Sequence, residues 1–213
     1  MKIYKIQVEN FRLLKNFSID VEDELSLVLG KNNTGKTSIL SVLDKFLNHS
    51  DRNKFYYDDF NIDYKEELNR IIDGSEIDFQ DYTETGIKLK LFINYTDTCN
   101  LENVSRVMMD LDPDNNLIVL GFEYVLPYEK YSELRSDWGQ FKAKETQKHE
   151  SNAQYKEKSL CDFLSDKHAD YFRLRRKSIE IAKDTHIVNE LNFIDLDKEQ
   201  ISTKDIINFK YIR

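Results

Sequence analysis

Val28-Leu29-Gly30-Lys31-Asn32-Asn33-Thr34-Gly35-Lys36-Thr37-Ser38-Ile39-Leu40 joins an apolar run, a polar loop bounded by two glycines, and the start of an amphipathic segment. The loop matches G-x-x-x-x-G-K-[ST] in full, a pattern with meaning only between a strand and a helix. Both flanks meet that condition. Residues 25–29 are almost continuously apolar, as in a strand buried on both faces. Ile39, Leu43, Phe46 and Leu47 recur at helical spacing over residues 36–48, with no proline to interrupt them. The residue types explain the chemistry. Gly30 and Gly35 let the backbone turn tightly and aim successive N–H groups at phosphate oxygens. The helix opening at Lys36 points its positive dipole end at the same anion. Lys36 supplies a mobile cation for the β- and γ-phosphates, and the Thr37 hydroxyl is placed to hold Mg2+. The reading is ATP with Mg2+ bound by Gly30, Asn33, Thr34, Gly35, Lys36, Thr37 and Ser38, with Lys36 and Thr37 as the catalytic candidates.

Outward from the loop, Tyr4, Ile6 and Val8 alternate with polar residues, as do Phe17, Ile19 and Val21. Each is the period-two mark of a half-buried strand. Residues 51–80 are charged and tyrosine-rich, a loop with a short helix over 64–72. Ile87, Leu89, Leu91, Ile93 and Tyr95 share one strand face, a short helix fits 101–109, and residues 113–116 signal a turn before a strand over 117–126. A polar, helix-compatible stretch follows over 128–154, then a helix over 159–169 and a strand over 172–181. Beyond a loop, residues 203–208 suggest a helical turn and 209–212 the start of a strand. The architecture expected is α/β: a P-loop NTPase lobe with mixed and antiparallel sheet and a helical insert at about 128–170.

Composition bounds the function classes. The 213 residues carry 31 Lys+Arg against 39 Asp+Glu, a net charge of -8, which argues against a nucleic-acid coat over the whole surface. Residues 128–178 run the other way, with 12 Lys/Arg against 9 Asp/Glu. At 40% hydrophobic and 12% aromatic, the chain has material for a core and is not dominated by disorder. No apolar run approaches the roughly 18 residues that span a bilayer, and the N-terminus lacks a signal-peptide block. Two cysteines make neither a disulfide framework nor a thiolate metal cluster. A cytoplasmic setting is the expectation.

The stretch from Met1 to Arg12, ending Asn10-Phe11-Arg12, followed by a hairpin-like pair and the phosphate loop, resembles the N-terminus of SMC/RecF-like ABC-type ATPases. It is most similar to the OLD family and related AAA ATPases of antiphage systems. The likeness covers about the first fifty residues. It implies that Arg12 lies near the nucleotide and that Asn32, the family's loop asparagine, positions phosphate or its water. A strand-end arginine in solvent and a loop-capping asparagine are the plain alternatives. It also implies a polar residue after the first helix that reaches the metal, for which Asp58 and Asp59 stand at a suitable distance. The Asp-Glu strand, the signature motif and the switch histidine of that family are not found. Residues 1–213 therefore read as a first ATPase lobe, with the rest of the ATPase domain outside this chain. Hydrolysis is then expected in the complete protein or complex. The partners implied are a second ATPase head in an oligomer, a nuclease effector and DNA, with no membrane. The alternative is an assembly module that binds ATP without turnover and clamps a partner.

Arg173, Arg175 and Lys177 fall on one strand face and are candidates for nucleic-acid phosphates, against a simple solvated face. Trp138 reads as core packing, with docking of a helix or partner as the alternative. The four histidines show no metal-ligand spacing.

Overall fold

The computed structural model describes residues 1–22, 35–95, 101–110, 112 and 115–210. Strand β1 (Lys2–Phe11) turns through Arg12 and Leu13 into β2 (Leu14–Asp20), with Phe11 opposite Leu14. Helix α1 (Lys36–Leu47), a single 3-10 turn (Tyr57–Asp59) and α2 (Ile62–Asp73) follow. Next come β3 (Thr85–Asn94), the short α3 (Leu101–Ser105) and β4 (Leu117–Leu126). Helices α4 (Tyr128–Ser151) and α5 (Leu160–Tyr171) lead to β5 (Arg173–Ile181) and β6 (Val188–Asp195). The sheet order is β2-β1-β3-β4-β5-β6, and every pairing among the described residues is antiparallel. The fold is α/β as expected. The strand expected at 25–29 lies outside the described residues, so the mixed part of the sheet is not seen within them.

Alternation along the strands decides which face receives the helices. Ile6, Val8, Leu89, Leu91, Leu120 and Phe122 form one core with Val42 and Phe46 of α1, Leu68 of α2, Leu134 of α4 and Leu164 of α5. Their strand neighbours Phe92 and Val119 point the other way and join Ile179 and Ile181 in a smaller cluster that draws on no helix. The centre of the main core is aromatic. Phe60 lies 4.8 Å from Phe172, 5.3 Å from Tyr64, 5.8 Å from Tyr57 and 5.9 Å from Tyr124, ring centre to ring centre.

Trp138 is a packing residue. It is buried against Phe141 and Phe163, and its indole N–H donates to Asp73 Oδ1 at 2.9 Å. Arg135, one turn earlier, donates to the carbonyls of Ile71 and Ile72 at 3.1 and 2.8 Å. These are carbonyls that the end of α2 leaves without helical partners. The insert is thus fastened to α2 through that helix's C-terminus.

Three expectations need correction. The helix expected over 101–109 stops at Ser105, where the Val107 N–H returns to the Val104 carbonyl in a turn. Phe209 and Lys210 are not in a strand, and residues 211–213 lie outside the described set. The segment read as a loop after β5 contains β6, an edge strand.

Glu145 ties the end of α4 to the connection into α5. It is buried, accepting from Lys148 Nζ at 2.5 Å, Tyr155 Oη at 2.6 Å and the Lys158 N–H at 3.2 Å. The Lys148 bond, then the Tyr155 bond, holds its carboxyl down to about 2 from the ordinary 4.5. A depressed carboxyl stabilises the fold above its unfolded value and loses that contribution as pH falls toward its folded one. Amide exchange at Lys158 should therefore be slower in the wild type than in Glu145→Gln at neutral pH. That difference should close as pH drops from about 4.5 toward about 2. A difference unchanged at the acid end would contradict the assignment.

Candidate phosphate site

Gly35 begins α1 with φ of 88°, in the left-handed region that glycine enters without strain. Space imposes the same choice, because a Cβ there would lie 2.9 Å from Leu14 Cδ2. The Ser38 and Ile39 N–H groups both return to the Gly35 carbonyl, at 2.9 and 3.2 Å. The N–H groups of Lys36 and Thr37 precede these first intrahelical donors. The N-cap is a glycine with no side chain to cap this end of α1, and the first turn carries no acid to meet the positive end of the dipole. Thr37 is exposed, Lys36 half-buried and Ser38 buried. Gly30, Asn32, Asn33 and Thr34 lie outside the described residues. A helix start closed to a Cβ, with no acid in its first turn and with a lysine and an exposed hydroxyl there, fits a polyphosphate with its divalent ion.

The β1–β2 turn lies against this helix start. Gly35 faces Leu13 and Leu14, the two residues after Arg12. Arg12 itself has φ of 48° and Asn10 has φ of 59°, unusual for residues with a Cβ. Residues 59–61 clamp them. Phe11 and Phe60 form an antiparallel bridge, the Arg12 N–H donates to the Asp59 carbonyl at 2.7 Å, and the Asn61 N–H donates to the Asn10 carbonyl at 2.9 Å. Asn61 Nδ2 donates to the Arg12 carbonyl at 2.5 Å, while Asn61 Oδ1 caps α2 by accepting from the Asp63 N–H.

The side chains repeat the clamp. Arg12 Nε and Nη2 both reach Asp59 Oδ1, at 2.9 and 2.8 Å. Asp59 Oδ2 takes Lys45 Nζ of α1 at 2.9 Å and the Tyr56 N–H at 2.9 Å. Lys45 Nζ also donates to the Lys54 carbonyl at 2.6 Å. The Asp59 side chain is 3% exposed and that of Lys45 7%, whereas Arg12 keeps 40%. Asp58, its neighbour, is 97% exposed and faces Lys65. Sequence reasoning named Arg12 and Asp59 separately, one for nucleotide and one for metal, and the fold makes them partners. Both oxygens of Asp59 are engaged by protein donors. Lys45 was not singled out, although a lysine among Val42, Leu43 and Phe46 on the buried stripe of α1 was its signal.

The basic strand is arranged differently from the open row expected. Arg175 pairs with Glu84, Lys177 with Glu123 at 2.8 Å, and Arg176 with Asp197 at 2.5 Å. Arg173 turns back onto the Ala169, Asp170 and Phe172 carbonyls at the end of α5. Burial works against the charge on Arg175, but its hydrogen bond to Glu84 and the surrounding carboxylates outweigh that cost and raise its pKa. Among the described residues no cluster of His, Cys, Asp and Glu suits a metal, and no helix is long and apolar enough to cross a membrane.

The fold and the phosphate-loop helix define a nucleotide-binding ATPase-type domain, and comparison with known sequences agrees. The family described as AAA ATPase domain matches residues 1–212, and the chain belongs to that family. Similar curated proteins include the DNA replication and repair protein RecF of Francisella tularensis subsp. novicida (strain U112) and of subsp. tularensis (strain WY96-3418), each 27% identical over 152 residues. The match takes in 66% of this chain and 40% of each relative's length.

Proposed function

We propose that this chain is the ATP-binding lobe of an ABC-type ATPase that acts on DNA. The observation that carries the reading is the start of α1: a helix with no acid in its first turn, entered through a glycine that tolerates no side chain, within the full phosphate-loop motif. Gly35 and the first turn of α1 bind and orient phosphates, Lys36 neutralises them, and the Thr37 hydroxyl holds Mg2+. Bound Mg2+ supplies further charge neutralisation on the phosphates. Positioning and electrostatics are most of what such a site contributes to phosphoryl transfer. The similarity to RecF, named as a DNA replication and repair protein, supports a DNA-related process. The Asn10-Phe11-Arg12 end of β1 supports an OLD-type member, with a second ATPase head, a nuclease effector and a role in antiphage defence. DNA contact through Arg173, Arg175 and Lys177 has to displace the carboxylates and carbonyls they already hold.

No acid in the sequence stands out as the activator of water, so the 213-residue chain alone is expected to bind MgATP with negligible turnover. Calorimetric titration paired with a phosphate-release assay tests both halves. Absence of binding sinks the reading. Robust turnover that Thr37→Ala abolishes would place a complete catalytic set in this chain and refute the division of labour.

A further inference from the structure

We infer that Asp59 is a positioning residue for nucleotide binding: it fixes the Arg12 guanidinium in the turn that packs on Gly35 and couples it, through Lys45, to the helix that carries the site. The inference rests on the nucleotide reading above. Three observations converge on it. Arg12 sits in a left-handed backbone conformation that is strained for a residue with a Cβ and persists only where its surroundings over-determine it. Both of its backbone polar groups and two of its guanidinium nitrogens are engaged by residues 59 and 61. The turn that contains it touches Gly35 through Leu13 and Leu14.

A two-residue hairpin turn ordinarily uses Asn or Gly where φ is positive. Here arginine occupies that place and three separate contacts keep it there, leaving 40% of its side chain exposed in the turn whose next two residues pack at Gly35. Asp59 divides its two oxygens between this arginine and Lys45. Lys45 lies nine residues along α1 from Lys36, so the carboxylate joins the turn to the same rigid helix that presents the phosphate lysine. Displacement of either element is transmitted to the other through one buried carboxylate. An arginine held this way has lost its rotamer freedom before phosphate arrives, which is the condition under which a charge-assisted bond adds most to affinity.

The test is a double-mutant cycle read in MgATP affinity, with thermal unfolding as the folding control. Arg12→Ala is expected to weaken binding at least about tenfold, the effect of losing one hydrogen bond to a charged group. Asp59→Asn should weaken it comparably, and the double variant should be no weaker than Arg12→Ala alone. A purely structural role for Asp59 predicts that the two losses multiply, and that result overturns the inference. Should Asp59→Asn not fold, because it leaves Lys45 buried without its carboxylate, Asp59→Asn with Lys45→Met removes both and carries the same cycle. Independently of any Asp59 variant, the Arg12 Hε resonance of the wild type should shift when MgATP is added, and a resonance that stays in place overturns the inference. Lys36→Ala separates the two levels. If it abolishes binding while Arg12→Ala and Asp59→Asn bind normally, the positioning role alone fails. If it binds normally, the nucleotide reading fails with it.

Discussion

Lys36→Ala is expected to weaken MgATP binding about 100-fold, with thermal unfolding little changed. Lysine at this place meets two phosphates, and losing charge-assisted bonds of this kind costs roughly 3 kcal/mol, or about two decades in Kd. Lys36 is half-buried at the mouth of the site and outside the packed stripe formed by Ile39, Val42, Leu43 and Phe46. Its side chain is therefore not one of those that build the core beneath α1. Isothermal titration of wild type and variant decides the matter, and equal affinities would remove the phosphate loop from the function. Gly35 differs in this respect: a methyl group there strikes Leu14 and disturbs the hairpin along with the site. For that reason the lysine is the cleaner probe.

The largest effect on stability is expected at Phe60. It is 2% exposed, in contact with four other aromatic rings, and is itself the residue that bridges to Phe11. Phe60→Ala removes that ring from a site with little means of collapse, because its neighbours sit on three different elements. The cost should be roughly 3–5 kcal/mol, about 10 °C in Tm for a chain of this size. Leu191→Ala, on an edge strand at 93% exposure, serves as the comparison and should stay within about 0.5 kcal/mol of the wild type. Urea unfolding of the two variants checks the contrast. A loss at Phe60 below about 1 kcal/mol would mean that the aromatic centre repacks freely.

Legibility in the sequence followed burial. The strand expected over 117–126 has those bounds in the structure, and the helix expected over 36–48 ends one residue earlier at Leu47. Both elements pack against the core along a continuous stripe, so hydrophobic spacing and tertiary structure carry the same information. Strand β6 gave no such signal. Asn189, Glu190, Leu191 and Asn192 are all exposed at the sheet edge, and a strand without a buried face has no pattern to read. The same limit governs the site. Gly35, Lys36 and Thr37 are adjacent in sequence, and their chemistry follows from spacing. The contact between Arg12 and Asp59 spans 47 positions and depends on a hairpin, a 3-10 turn and one bridge between Phe11 and Phe60. Nothing local separates Asp59 from Asp58. Only the path of the chain buries one and leaves the other in water.

The order of strands in the sheet also fixes an order of events as the chain leaves the ribosome. Strand β1 can pair at once with β2, but its other edge waits for β3, whose Asn94 lies opposite Lys2. Helix α1 emerges in that interval, before Leu89, Leu91, Leu120 and Phe122 exist to cover its apolar stripe. Strand β4 waits longer still, because β5 arrives only after both helices of the insert. Closing such distant pairings is slow relative to local structure, and unpaired edges are exposed meanwhile. The nascent chain thus carries its phosphate-loop helix without sheet partners until β3 and β4 have been made, and the sheet beneath that helix is complete only after Arg173–Ile181 has followed.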